Sequence, residues 1–385
     1  MRVACLIPSF QPYRVPVFDV MHEELGDDFT VFTLSDPPQR NDRLGLERGN
    51  FNRRLVKGRY LPLAPLEPEG LQTPTNFVMG PGFPLHLREE DPDVVIAMNF
   101  TSWTLASIAM GYPTVVFWEG TRHTERTVGR WRRGIRRQMT RRAEEFVVCG
   151  PLAEEYLVDV LRAPQERVRI GGTAAAPPPE EYRNLGPRRV LPDEPIRFLY
   201  VGQMIGRKGV THLISAVEEL KRRTDLPRPF EVWLSGDGPR REELEQQARD
   251  AGVADVVKFL GHTSYDEVWS LYSRAHVFIM PTLQDHWPLV VPEAMSMGLP
   301  MMISHYAGNV PEFVHENRNG FVLEPTDHRG IADNMETYIR DTGQVERHSV
   351  QSLEMVAPYT PEWAAEGFLS AARDVHERRN ALAAG

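Results

Sequence analysis

Short apolar runs alternate with amphipathic stretches from the first residue onward, the rhythm of βαβ units that build a parallel sheet flanked by helices. In the first half the runs at 3–7, 30–33, 94–97, 114–117 and 146–149 predict strands, and helical spacing fills most of the gaps between them. After Gly171 and Gly172 the chain reads Thr-Ala-Ala-Ala and then Pro177, Pro178 and Pro179, which can continue neither helix nor sheet, so a linker is expected at roughly 173–190. The rhythm restarts with runs at 196–201, 230–234, 256–260, 277–280 and 300–304. Near the end, Thr360 and Pro361 suit an N-cap and first helical position, and Ala364, Phe368, Ala371 and Val375 then share one face.

The expected fold class is therefore α/β. Two Rossmann-like doubly wound domains occupy 1–178 and 190–360, followed by a terminal helix at 361–385, and ligands are expected in a cleft facing the carboxyl ends of both sheets. Residues 37–75 break the pattern, being rich in Arg, Asn, Gly and Pro with few periodic apolar positions, and read as a long excursion from the first domain.

Charge and composition narrow the partners. A chain of 385 residues with net charge −9 has no general basic field for nucleic acid. No run approaches the roughly 20 apolar residues that cross a bilayer. The N-terminus lacks a basic segment followed by an apolar one, and the two cysteines, Cys5 and Cys149, sit in apolar strand-like runs. A cytoplasmic place is expected, with any membrane contact peripheral at the inner face. The 44 basic residues are arginine except for Lys57, Lys208, Lys221 and Lys258, so a lysine in a turn stands out.

Three turns follow predicted strands of the second half and, in a parallel sheet, fall on one rim. The first runs from Gly202 to Gly209 and carries Arg207 and Lys208 ahead of a helix, where cations and free amides suit an anion. The second is Ser235-Gly236-Asp237-Gly238-Pro239, and the third includes Leu260 and His262. A further segment, 281–298, holds Asp285 and Glu293 on either side of a predicted helix start. These carboxylates can accept sugar hydroxyls, and the amides of Leu289 and Val290 suit a phosphate. Taken one at a time, the same residues also read as solvated turns and exposed helical acids.

The ordered series GQMIGRKG, SGDGP, FLGH, DHWPLVVPEAMSMGLP and AGNVPEFVHENRNGFV closely resembles the carboxyl-terminal domain of family 4 retaining glycosyltransferases, which have the GT-B fold. The resemblance spans about 196–340 and is faint in the first half. It implies a retaining transfer of sugar from a UDP- or GDP-linked donor to a hydroxyl acceptor, in bacterial polysaccharide, glycolipid or glycoconjugate synthesis. It implies further that Lys208 neutralises the donor diphosphate, that Asp285 contacts the transferred sugar and that Glu293 holds the ribose. Leu260 and His262 then lie beside the base, Leu289 and Val290 offer amides to phosphate, and Glu312 is a weaker candidate. In that fold the last helix crosses back to the first domain.

The sequence departs from the family pattern in several places. Gln203 stands where an arginine is usual, with Arg207 as a substitute cation, and Asp285 replaces a glutamate. His286-Trp287-Pro288 replaces Gly-Phe-Gly, and Pro292 sits inside the expected helix, which should start irregularly or kink.

On the acceptor side Tyr13 and Arg14 follow the first strand, and Glu119 falls where many members place a sugar-contacting histidine, with His123 as the alternative occupant. No metal motif is seen, and no cofactor is expected beyond the donor substrate. Arginines from Arg122 to Arg142 form a dense positive stretch on a predicted helix with Trp131, Ile135 and Met139 at four-residue spacing. It reads either as a basic face for anionic lipid or, preferably, as a core-facing apolar stripe under solvated arginines. Two other functions stay open: a sugar-nucleotide epimerase of the same architecture, and a two-lobed carbohydrate-binding protein.

Overall fold

The computed structural model describes residues 1–9, 12–35, 49–62 and 76–384. It divides into two compact units, one holding the described residues up to Ala176 together with those from Tyr359 onward, the other Pro177–Pro358.

The first unit is built on seven parallel strands. These are β1 (Val3–Leu6), β2 (Phe29–Leu34), β3 (Asn52–Val56), β6 (Val94–Met98), β7 (Thr114–Trp118), β8 (Glu145–Val148) and β9 (Val168–Ile170), in the order β3-β2-β1-β6-β7-β8-β9. A separate antiparallel pair joins β4 (Arg59–Pro62) to β5 (Asn76–Met79). Every residue of β1, β2, β6, β7 and β8 is buried, as expected of parallel strands covered on both faces. Cys5 and Cys149 are both buried in this unit.

The second unit has six parallel strands. They are β10 (Ile196–Val201), β11 (Phe230–Ser235), β12 (Val257–Gly261), β13 (Val277–Met280), β14 (Met301–Ser304) and β15 (Gly320–Leu323), ordered β12-β11-β10-β13-β14-β15. Its core packs Phe198, Tyr200, Val232 and Leu234 of the sheet against Leu213 and Val217 of helix Val210–Lys221 and Met335 and Tyr338 of helix His328–Arg340. In both units the chain reverses its direction of winding beside the first strand, between β1 and β6 in one and between β10 and β13 in the other. Loops leaving those strands diverge and open a crevice at the carboxyl edge.

Part of the excursion expected at 37–75 is regular structure: Asn52–Val56 pairs in parallel with β2 as an edge strand. Its Asn-Arg-Arg-Leu-Val sequence shows no apolar run because an edge strand is only partly covered and tolerates charge. The stretches 36–48 and 63–75 lie outside the described residues.

The terminal helix Pro361–Ala384 belongs to the first unit and packs on helix Val15–Leu25. Thr360 Oγ1 caps it by accepting from Trp363 N–H at 3.2 Å, and Ala364, Phe368, Ala371 and Val375 are buried on the expected face. Phe368 meets Phe117 of β7 at 5.5 Å, and Arg373 pairs with Glu24.

Candidate functional site

At the β10/β13 switch of the second unit, the turn Gly206–Lys208 is stitched to the loop that follows β13. Arg207 O accepts from Leu283 N–H at 2.7 Å and from Thr282 Oγ1 at 3.0 Å, and the Arg207 guanidinium donates to Gln284 O at 3.0 Å. Gly209 joins this turn to the next helix at φ +72°, with Pro281 O only 2.0 Å from where a Cβ would stand, so no larger residue fits.

The stitching brings Lys208 Nζ to 2.5 Å from Asp285 Oδ2, with Arg207 Nη1 3.6 Å from the same oxygen. Burial opposes ionisation of Asp285, but the charges of Lys208 and Arg207 outweigh it and hold the carboxyl below its ordinary range. Asp285 is also fixed from behind, because its N–H donates to Tyr306 O and its carbonyl accepts from Gly308 N–H at 3.1 Å. Gln203, in place of the usual arginine, is exposed, and its carbonyl accepts from the Tyr200 hydroxyl.

The short helix Val290–Ser296 follows. Pro292 does not kink it. The helix starts at Val290, which puts Pro292 in the first turn, where an N–H has no helical acceptor to lose. The amides of Leu289 and Val290 precede the first helical bond, Glu293 N–H to Leu289 O at 3.0 Å, so neither has an acceptor within the helix.

Glu293 is only 5% exposed, not the solvated helical acid that an isolated reading allows. The buried hydroxyl of Tyr272, on helix Val268–Arg274, donates to its Oε2 at 3.1 Å. Burial nevertheless pushes the carboxyl up to about 7. Tyr272 was not anticipated; it lies 21 positions upstream on another helix, and no local pattern marks it.

The other two turns join the same rim. Gly202 N–H donates to Ser235 O at 3.0 Å and Gly236 N–H to Gly261 O at 2.8 Å. Gly236 sits at φ +138° with Gly202 O 1.9 Å from a notional Cβ. Leu260 and His262 are exposed and line a hollow with Trp233, Thr263, Glu267 and Arg274. Glu312, on the short helix Val310–Phe313, has both carboxylate oxygens buried without a hydrogen-bond partner among the described residues, and burial raises it to about 8.

In the first unit the structure brings together two residues that sequence reading named separately. Arg14, 5% exposed, donates to Glu119 Oε1 at 2.9 Å, and its guanidinium lies against the rings of Phe117 and Tyr13 at 5.2 and 5.3 Å. His123 is half-buried in the following turn, where its carbonyl accepts from Arg126 at 2.6 Å.

The arginine-rich helix corrects the preferred reading. It covers only Arg130–Thr140, and Arg122 lies before it, paired with Glu155 and Asp159. Met139 is buried, but Trp131 is 88% exposed and Ile135 49%. The inward face is arginine. Arg136 pairs with buried Glu125 and lies 4.7 Å over the Trp118 ring, Arg137 donates to Val160 O, and Arg133 donates to Val128 O.

Among the described residues no cluster of His, Cys, Asp and Glu could hold a metal ion, and no helix is long and apolar enough to cross a membrane.

Both halves of the chain match known protein families. Residues 184–352 match the family "Glycosyl transferases group 1", and residues 22–171 match "Glycosyl transferase 4-like domain". The chain is 28% identical over 284 residues to alpha-D-kanosaminyltransferase of Streptomyces kanamyceticus, covering 70% of each. It is 30% identical over 192 residues to a GDP-mannose-dependent phosphatidylinositol monomannoside mannosyltransferase of Mycobacterium tuberculosis, an overlap of only 46% of that protein. Anabaena Alr3699/HepE, solved with UDP and glucose, superposes with a TM-score of 0.72 at 16% identity, covering 99% of this chain and all of that one. Two parallel Rossmann-like sheets, a terminal helix on the first helix, and family matches to both halves lead to one conclusion: the chain belongs to the family 4 (group 1) glycosyltransferases of GT-B fold, enzymes that use nucleotide sugars.

Proposed function

We propose that the protein transfers a sugar, with retention of anomeric configuration, from a UDP- or GDP-linked donor to a hydroxyl of a carbohydrate or glycolipid acceptor. The observation that carries this reading is the joining of Lys208, Asp285 and Glu293 by one turn, one loop and one helix start at the β10/β13 switch. Lys208 and the amides of Leu289 and Val290 neutralise the diphosphate, and Arg207 reinforces Lys208 from its anchored position on Gln284. Asp285 accepts from hydroxyls of the transferred sugar. Glu293, ionised, accepts from the ribose, with Tyr272 fixing its rotamer. Gly202 and Gly236 let the backbone approach the donor, and Leu260 and His262 border the base.

The bond from the anomeric carbon to the diphosphate oxygen breaks with its electron pair leaving on the diphosphate. The acceptor oxygen bonds to the same face of the oxocarbenium-like sugar, and its proton passes to the departing phosphate. Tyr13, Arg14, Glu119 and His123 are assigned to the acceptor. Arg14 holds Glu119 in place as an acceptor for a sugar hydroxyl. UDP is favoured as the leaving group because the Anabaena protein of this fold was solved with UDP and glucose.

The test is thermal-shift screening with UDP, GDP, ADP and TDP, followed by donor-hydrolysis assays with sugars of whichever nucleotide stabilises. Stabilisation by one nucleotide that Lys208→Ala and Glu293→Ala each reduce supports the site. An unchanged shift in both variants refutes it.

A further inference from the structure

We infer that Arg188 is a positioning residue for Glu293: its guanidinium ties together the carboxyl ends of the two short helices that carry Glu293 and Tyr272. The inference rests on the proposed role of Glu293 at the donor ribose.

Arg188 lies in the stretch between Pro177 and β10, and its guanidinium reaches inward from there. Its Nη1 donates to Ser273 O at 2.7 Å and its Nε to Met297 O at 2.8 Å. Ser273 is in the last turn of helix Val268–Arg274 and is the neighbour of Tyr272, while Met297 follows helix Val290–Ser296, one turn beyond Glu293. The last carbonyls of a helix have no partner inside it, so each of these ends has an acceptor to spare. One side chain satisfies both. The backbone of Arg188 is anchored as well: its N–H donates to Ser349 Oγ at 2.7 Å, and that buried hydroxyl donates in turn to Gly298 O.

The electrostatics set Arg188 apart from a surface arginine. Burial pulls it down to about 10, so it stays charged at neutral pH, and among the described residues no carboxylate pairs with it. Its Nη2 is buried with no hydrogen-bond partner among the described residues. A desolvated cation facing only carbonyls is a costly way to fill space. Its effect is the spacing it fixes, because a planar guanidinium with N–H groups in set directions holds two carbonyls at one separation and angle.

That separation bears on the site. The same two helices meet again where the Tyr272 hydroxyl donates to Glu293 Oε2 at 3.1 Å. A slip of about 1 Å in either helix carries this contact out of hydrogen-bond range and moves the carboxylate off the ribose.

Calorimetric titration of the full chain with UDP, or with GDP should it bind more tightly, and with the dideoxyribose analogue of the same nucleotide tests the inference. The ratio of the two affinities within one protein reads the ribose contact alone, since the diphosphate is common to both ligands and any loss of folded fraction cancels. The wild type is expected to prefer the natural ribose about tenfold or more, the effect of charge-assisted hydrogen bonds to Glu293, and Glu293→Ala to abolish the preference. Arg188→Met should bring the ratio to about twofold or less. Arg188→Lys, which keeps the charge without the two-point geometry, should give an intermediate ratio, and it decides the matter should the methionine variant not fold. Arg189→Gln, which removes only an exposed pair with Glu346, should keep the wild-type ratio. A wild-type ratio in the Arg188 variants, with both affinities falling together, means a merely structural role and overturns the inference. So does a ratio that collapses equally in Arg189→Gln. A wild type with no ribose preference, matched by Glu293→Ala, removes the ribose reading of Glu293 itself, and the inference falls with it.

Discussion

Replacing Glu293 by glutamine keeps an acceptor for the Tyr272 hydroxyl and removes a charge from a site that is only 5% exposed. Burial holds the folded carboxyl at about 7, against an ordinary value of 4.5. Between those two values the folded chain keeps a proton that the unfolded chain has lost, so wild-type stability falls as pH rises through this window. The linkage amounts to about 3 kcal/mol, complete by roughly pH 8. The variant has no such group and no such slope. Glu293→Gln should therefore come close to wild type near pH 5 and melt higher above pH 8, by roughly 6–12 °C if about 1 kcal/mol moves a unit of this size by 2–4 °C. Differential scanning calorimetry from pH 5 to 9 measures the gap. Nucleotide binding provides a second reading of the same ionisation: stabilisation by the preferred nucleotide should grow from pH 6 to 8 in wild type and stay flat in the variant. A gap in melting temperature that does not change with pH, or that narrows as pH rises, refutes the assignment of a strained buried acid at position 293.

Other substitutions probe the remaining contacts. Lys208→Ala removes the cation 2.5 Å from Asp285, and nucleotide affinity in calorimetric titration should drop about 30-fold, the value of one charge-assisted contact near 2 kcal/mol. Gly236→Ala puts a Cβ 1.9 Å from Gly202 O at a positive φ, and urea unfolding should show a loss of about 3 kcal/mol. Glu119→Ala leaves the buried Arg14 guanidinium without its partner and should cost roughly 3 kcal/mol, of which Glu119→Gln, still able to accept from Arg14, recovers a good part.

Most of the strands legible in the sequence lie in mid-sheet, covered on both faces. β1, β2, β6, β7, β8, β10, β11, β13 and β14 read as apolar runs because a parallel strand in mid-sheet touches only side chains and backbone, and the edge strand β12 is legible as well because Val-Val-Lys-Phe-Leu at 256–260 keeps four apolar residues in five. Three of the unread ones have a physical reason in common. β3, β9 and β15 lie at sheet edges and run three to five residues, so Asn-Arg-Arg-Leu-Val or Val-Arg-Ile carries no run to detect. The arginine-rich helix shows a different limit. Steps of four residues advance each side chain about 40° past a full turn, so Met139 lies about 80° around from Trp131, and a stripe drawn through both mixes a buried edge with an exposed one. Periodicity says that a face exists. Which way it points was decided by Glu125 and the Trp118 ring, which hold Arg136 inward.

The candidate site of the second unit was legible as residue types in order, yet its central contact was not. Lys208 and Asp285 are 77 positions apart, and nothing local requires them to meet. Strand order requires it: β10 and β13 are hydrogen-bonded neighbours that feed opposite halves of the sheet, so the loops leaving their carboxyl ends share one crevice. Once there, two cations and one carboxylate give the cluster a net charge of +1. Asp285 then orients Lys208 and Arg207 without cancelling them. On the proposed reading, a diphosphate entering this cluster would find positive charge whose desolvation cost the fold has already met. The missing cation at Gln203 removes one unit from that sum, which makes Arg207, anchored on Gln284 O, the residue on which the remaining balance turns.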